Sequence, residues 1–154
     1  MKLKEILQYD NVIPNINADN KRAVLEKLAQ SVTEVYPGVD YEILLKVLFE
    51  REQLGTTGIG DGIAIPHAKI SGITQPIVAF ARCVDGVDFD ALDGKPSYIF
   101  FLLIAPEQAS GQHIQVLVRI AKILKSSAFR DKLMESKSRD ELYKLIIETD
   151  EGEP

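Results

Sequence analysis

The chain has 154 residues, 45% hydrophobic and 27% charged, with a formal net charge of -5 at pH 7. That length suits one compact domain, and the apolar fraction excludes a disordered chain. The acidic balance lacks the basic stripe of a nucleic-acid binder and suits neutral or basic protein partners.

Met1-Lys2-Leu3-Lys4-Glu5 has neither the apolar core nor the cleavage site of a signal peptide, and no apolar run is long enough to span a membrane. A cytoplasmic protein is expected. Leu3, Ile6 and Leu7 predict a short opening helix, followed by an extended segment over residues 12–16. A second helix is predicted over residues 19–36, with Val24, Leu25, Leu28, Val32 and Val35 on one face and Pro37-Gly38 ending it. Asp40 is a natural N-cap for a third helix through Ile43, Leu44, Val47 and Leu48, which stops near Gly55.

The middle of the chain is strand-rich, with apolar runs at residues 63–65, 77–84 and 98–104. Asp85-Gly86 and Asp93-Gly94 are turn signals, and residues 87–89 between them predict another short strand. Cys83, the single cysteine, sits inside an apolar run and reads as a small buried side chain. Ile114, Leu117, Ile120, Ala121 and Leu124 recur at helical spacing. A last helix opens at Ser138-Arg139-Asp140-Glu141, where Ser138 and Glu141 form a capping box. No linker or repeat divides the chain, so residues 1–154 are expected to form one domain, with a frayed acidic tail at about 150–154. Alternating helices and strands point to an α/β layered domain.

The chemically informative stretch is Gly55-Thr56-Thr57-Gly58-Ile59-Gly60-Asp61-Gly62, leading into Ile63-Ala64-Ile65-Pro66-His67-Ala68. Such a glycine-rich loop lets backbone N–H groups line an anion-binding concavity, with Gly58, Ile59, Gly60, Asp61 and Gly62 as the candidate phosphoryl-binding residues. It lacks the ending of a P-loop and the spacing of a dinucleotide fold. Pro66 stops the preceding strand and fixes its exit direction, so His67 is presented on a constrained backbone. An imidazole so held can act as a nucleophile through one nitrogen while the other donates a fixing hydrogen bond. The plain alternative is a structural histidine beside a turn.

His113 shares a helix face with Leu117, Ile120 and Leu124, which reads as a core position; its place near a helix N-terminus also suits a phosphate. Arg51 reads either as a solvated base near a helix end or as a guanidinium returning toward phosphoryl oxygens. Two histidines with Asp61 are thin as a metal set, so no metal or cofactor is expected.

Glu52, Ile59, Gly60 and the run Ile63-Ala64-Ile65-Pro66-His67-Ala68 resemble the active-site signature of fructose/mannitol-type enzyme IIA domains of the bacterial phosphotransferase system (PTS). The likeness extends through residues 86–96, the strand at 99–104 and His113. It implies a mixed β-sheet with helices packed on both faces. It implies further that His67 is phosphorylated at Nε2, that His113 is the second active-site histidine, and that Arg51 balances the phosphoryl charge. The implied donor is phospho-HPr or its nitrogen-branch counterpart. The implied acceptor is a cysteine of an EIIB domain, which leaves the chain peripheral to a membrane permease at most. A nitrogen-type regulatory EIIA, whose phosphorylation state controls binding to target proteins, is the alternative the resemblance leaves open.

Overall fold

A computed structural model describes residues 1–108 and 111–152. Along the chain it runs α1 (Leu3–Ile6), β1 (Leu7–Ile13), α2 (Lys21–Val35), α3 (Tyr41–Gln53), β2 (Gly58–Gly60), β3 (Ile63–Ala64), β4 (His67–Ile70), β5 (Ile77–Val87), β6 (Ser97–Pro106), α4 (Gln112–Leu124), α5 (Ser127–Glu135) and α6 (Arg139–Gly152). The sheet order is β1-β5-β6-β3-β2, with β4 also on β6. Pairing is mixed: β1 is parallel to β5, β5 antiparallel to β6, and β3 and β4 both parallel to β6. No described helix is long and apolar enough to cross a membrane.

The two central strands are apolar on both faces, as a sheet covered on both sides requires. Ala79, Ala81, Cys83, Phe100, Leu102 and Ile104 point to one face, where they meet α2 and α3 through Val24, Leu25, Leu28, Leu44 and Leu48. Val78, Phe80, Ile99, Phe101 and Leu103 point to the other, against α1, α4, α5 and α6. The rings of Phe80 and Phe101 meet edge-on at 5.0 Å across the second core. This is the α/β layered domain expected from the residues and the mixed, doubly covered sheet that the family resemblance implies. Cys83 is buried and free within the first core.

The caps follow the sequence closely. Asn20 Oδ1 accepts from the Ala23 amide and Asp40 Oδ1 from the Ile43 amide, starting α2 and α3. Ser138 Oγ accepts from the Glu141 amide, but the Glu141 carboxylate takes the Lys137 amide instead of the Ser138 amide, so the expected box is only half formed. Helix α5 was not expected; Ser126 caps it, and Phe129 and Leu133 bury its inner face.

Three further expectations change. Asp85-Gly86 is not a hairpin turn: β5 runs on to Val87 through a register shift, and Asp88 and Phe89 lie outside any strand. The extended segment starts earlier, at Leu7, because the opening helix is only one turn long. The tail is not frayed where it begins. Asp150 is fully buried, accepts from the Leu3 amide at 2.9 Å and pairs with Arg119 Nε, so it docks α6 on α1. The last two residues of that acidic tail, and Ala109 and Ser110 ahead of α4, lie outside the described residues.

One buried charge makes no salt bridge among the described residues, with the Glu141 carboxylate acting on it only at longer range. Arg82, 6% exposed, donates through Nε to the Pro14 carbonyl and through Nη1 to the Leu133 and Ser136 carbonyls. The carbonyls at the α5 C-terminus carry the negative end of its dipole and serve as the counter-charge. Burial pulls the guanidinium below its usual pKa.

Candidate functional site

Strands β3 and β4 lie end to end along one side of β6, with Ile65 and Pro66 between them. Beside β3, the strand β2 forms an outer antiparallel partner; β4 has no partner beyond β6 among the described strands. His67 opens β4 at this exposed edge. Its Cα partner is Leu103, so the alternation of the sheet turns its side chain to the face covered by α4. Pro66 cannot donate to the ladder, and its carbonyl accepts from the Leu103 amide at 3.0 Å.

Two hydrogen bonds define the state of the imidazole. Nδ1 lies 2.9 Å from the Ile65 carbonyl oxygen, and Arg51 Nε lies 3.2 Å from Nε2. A carbonyl can only accept and a guanidinium N–H can only donate. Both partners therefore demand the same tautomer, with the proton on Nδ1 and the lone pair on Nε2. Arg51 comes from the last turn of α3, in the layer opposite α4, and reaches round the open edge of β4. Its Nη1 also donates to the Gly55 carbonyl at 2.7 Å, which anchors the guanidinium.

His113, in the first turn of α4, faces the same open cleft of about 690 Å³ as Arg51 and His67. Lys69, Leu54, Leu103 and Leu117 complete much of its lining. His113 Nδ1 is buried without a partner among the described residues. Burial lowers the pKa of this imidazole, and the nearby Lys69 ammonium and His67 ring lower it further. It is thus poised as a neutral ring on the cleft that His67 also lines. The sequence left His113 between core and site; the structure gives it Leu117 and Ile120 as helix neighbours and a place on the cleft wall.

The glycine-rich stretch lies elsewhere. Gly58, Ile59 and Gly60 form β2, Asp61 and Gly62 make the turn into β3, and none of the five lines the cleft. Asp61 and Gly62 both have positive φ, at 56° and 76°, the signature of a tight hairpin turn. The Asp61 amide donates to Asp93, and the Gly58 amide to Thr56 Oγ1, so these two groups are occupied rather than free for an anion. A Cβ at Gly58 would stand 3.0 Å from Ala91 Cα, and this close approach explains the glycine. The single Asp61-Gly62 signal ahead of the apolar run Ile63-Ala64-Ile65 could have disclosed the hairpin. Asp61 is also remote from the histidines, and among the described residues no three His, Cys, Asp or Glu side chains gather as a metal site would require.

Sequence reasoning also passed over a polar cluster behind the hairpin. Lys21 Nζ lies 2.8 Å from Glu52 Oε1, both largely buried, and 3.5 Å from Asp90 Oδ2. Glu52 accepts from the Thr57 amide at 2.9 Å and from the Thr57 hydroxyl. Lys21 carried no signal at all, since a lysine in the first turn of an amphipathic helix reads as solvated.

Among known proteins, the family model for the phosphoenolpyruvate-dependent sugar phosphotransferase system, EIIA 2, matches residues 5–149. The chain is 37% identical over 153 residues to a nitrogen regulatory protein of Pseudomonas aeruginosa, with 99% of each chain covered. It is 36% identical over 128 residues to a PTS system fructose-specific EIIA component of Haloferax volcanii, covering 83% of each. The crystal structure of nitrogen regulatory protein IIA-Ntr from Neisseria meningitidis matches with a TM-score of 0.87 at 33% identity, over 94% of this chain and 98% of that one.

Proposed function

The chain belongs to the EIIA 2 family of the phosphoenolpyruvate-dependent sugar phosphotransferase system, and from that membership we propose that it is a phosphoryl carrier working through Nε2 of His67. The observation that carries this reading is the pair of hydrogen bonds on the imidazole: the Ile65 carbonyl holds the proton on Nδ1, and Nε2 is left as a lone pair facing Arg51.

In the accepting step, His67 Nε2 attacks the phosphorus of a donor phosphohistidine in line. A new P–N bond forms as the donor's P–N bond breaks, and the electron pair returns to the donor ring. Arg51 gives up its bond to Nε2 and turns its planar fork to the phosphoryl oxygens. His113, neutral and N–H bearing, donates a further hydrogen bond to them. Transfer of this kind has a loose transition state, so positioning and charge stabilisation are what the protein contributes. In the second step an acceptor cysteine thiolate attacks, the P–S bond forms, and the pair returns to Nε2. The hairpin at residues 58–62 enters as the support of the strand leading to His67 rather than as a phosphate cradle. Neither step calls for a cofactor.

The donor is phospho-HPr or its nitrogen-branch homologue, and the acceptor is an EIIB cysteine in a sugar-uptake chain. Leu54, Ile114 and Val118 are exposed apolar side chains on the helices flanking the cleft, a surface suited to a folded protein partner. A second reading has equal support. The relative in Pseudomonas aeruginosa and the structure from Neisseria meningitidis both carry nitrogen-regulatory names and match almost end to end. In that reading the same phosphohistidine switches binding to a target protein, and no sugar is involved.

The test is to incubate the protein with phosphoenolpyruvate, enzyme I and either HPr or its nitrogen-branch homologue. Intact mass should show one acid-labile phosphoryl group, absent from His67→Ala. Onward transfer to an EIIB cysteine supports the transport role; phosphorylation-dependent target binding without such transfer supports the regulatory one. No labelling from either donor would sink the carrier reading.

A further inference from the structure

We propose that the Lys21–Glu52 ion pair is a positioning device that holds the His67 imidazole in its Nε2-nucleophile form, an inference that rests on the carrier reading above.

The argument follows a continuous chain of bonds. Lys21, at the start of α2, places Nζ 2.8 Å from Glu52 Oε1, and the two side chains are 19% and 6% exposed. The same ammonium lies 3.4 Å from Thr56 Oγ1 and 4.7 Å above the Phe89 ring, so its direction is constrained from three sides. Glu52 then clamps Thr57, itself 3% exposed, through both amide and hydroxyl. The Thr57 carbonyl accepts from the Ile65 amide at 3.0 Å. The Ile65 carbonyl is the acceptor of His67 Nδ1–H. One carboxylate is therefore two backbone links away from the atom that fixes the tautomer.

Glu52 also acts in the other direction. It is the neighbour of Arg51 on α3, and its own carbonyl accepts from the Gly55 amide at 3.1 Å while Arg51 Nη1 donates to the Gly55 carbonyl. The two bonds that define the imidazole thus have a common origin: one comes through Thr57 and Ile65, the other through the α3 end and Arg51. A buried ion pair brings little net stability compared with apolar side chains of similar size, because desolvation offsets most of the attraction. What it does bring is direction. Here the direction is transmitted to the reacting ring.

The test compares Glu52→Gln, Thr57→Val, Lys21→Met and the conservative Lys21→Arg with the intact chain. Three quantities are measured: urea midpoint, rate of phosphoryl acceptance, and the ring-nitrogen NMR shifts of His67 without phosphate. In folded Glu52→Gln the acceptance rate should fall on the order of 10- to 100-fold, as expected for a misplaced reacting group. The ring-nitrogen shifts should move away from a single Nδ1–H tautomer. Thr57→Val, which keeps the ion pair, should move both in the same direction by less, and Lys21→Arg should restore both relative to Lys21→Met. The proposal is overturned if folded Glu52→Gln or Thr57→Val keeps the native ring shifts, or if rates fall only in proportion to the unfolded fraction. Should the intact chain accept no phosphoryl group, the carrier reading fails separately. The NMR arm, which needs no phosphate, still decides whether the ion pair governs the imidazole.

Discussion

Arg51 Nε lies 3.2 Å from the one nitrogen of His67 that carries no proton. A guanidinium in that place covers the lone pair, and under the carrier reading phosphoryl oxygens are the better acceptor that draws it away. Arg51→Ala should lower the rate of phosphoryl acceptance by about 100-fold, the scale of one lost charge-stabilising donor. Arg51→Lys should recover only part, since a point charge cannot repeat the forked contact. Single-turnover labelling measures both; an Arg51→Ala protein as fast as the parent would place the charge stabilisation elsewhere.

His113 predicts an acid-sensitive stability. Its pKa is lowered first by burial and then by the nearby Lys69 ammonium and His67 ring. A histidine depressed in the folded state is protonated first in the unfolded chain. The stability it contributes is therefore full above about pH 6.5, the unfolded value, and is lost as pH falls through the lower folded pKa. Urea midpoints taken from about pH 8 down to about pH 5 should fall in the parent and fall less in His113→Gln. An identical acid slope in both proteins would assign the effect to another group.

Gly86 predicts a cost that the sequence alone would misread as a turn preference. Its φ is 77°, and a Cβ there would stand 2.7 Å from Cε2 of Tyr98. Gly86→Ala should destabilise by about 1–2 kcal/mol from the backbone conformation, with the ring contact adding to it. Gly72→Ala makes the control, because its φ of 89° is similar but nothing crowds the added carbon. Equal losses at the two sites would show that the Tyr98 contact costs nothing.

Asp150 predicts a strong effect from the far end of the chain. Removing its carboxylate in Asp150→Ala strips Arg119 of its partner and leaves the Leu3 amide unpaired. The loss should be about 3 kcal/mol, the lower end for a broken buried pair, because Arg119 keeps some access to water. Thermal and urea melts measure it; a loss below about 1 kcal/mol would mean the pair is no better than an exposed one.

Much of this was legible in the sequence because the residues concerned act locally. Asp40 caps the helix it precedes, and the apolar runs of β5 and β6 announce buried strands. Pro66 and the apolar residues before it marked the strand end next to which His67 sits. What was not legible depends on distant partners. Nothing around Lys21 indicates that residue 52 will bury it, and nothing around Asp150 indicates that residues 3 and 119 will. The glycine stretch misled for the opposite reason. Its local freedom suits a phosphate loop, but pairing with β3 and the Asp93 side chain gave its backbone other partners.

Leu103 sets one more property of His67. Residues 63, 65 and 67 share a face with Leu103, while Ala64 and Ala68 share the other with Ile104. The direction of the imidazole is thus encoded by parity: inserting or deleting one residue between Ile63 and His67 would exchange odd for even and aim it at α3, away from His113. A change of two residues would preserve parity but slide the ring along the edge past Arg51. Length variation between relatives should therefore fall in segments such as residues 71–76, and the five-residue interval from Ile63 to His67 should be among the most length-constrained parts of the chain.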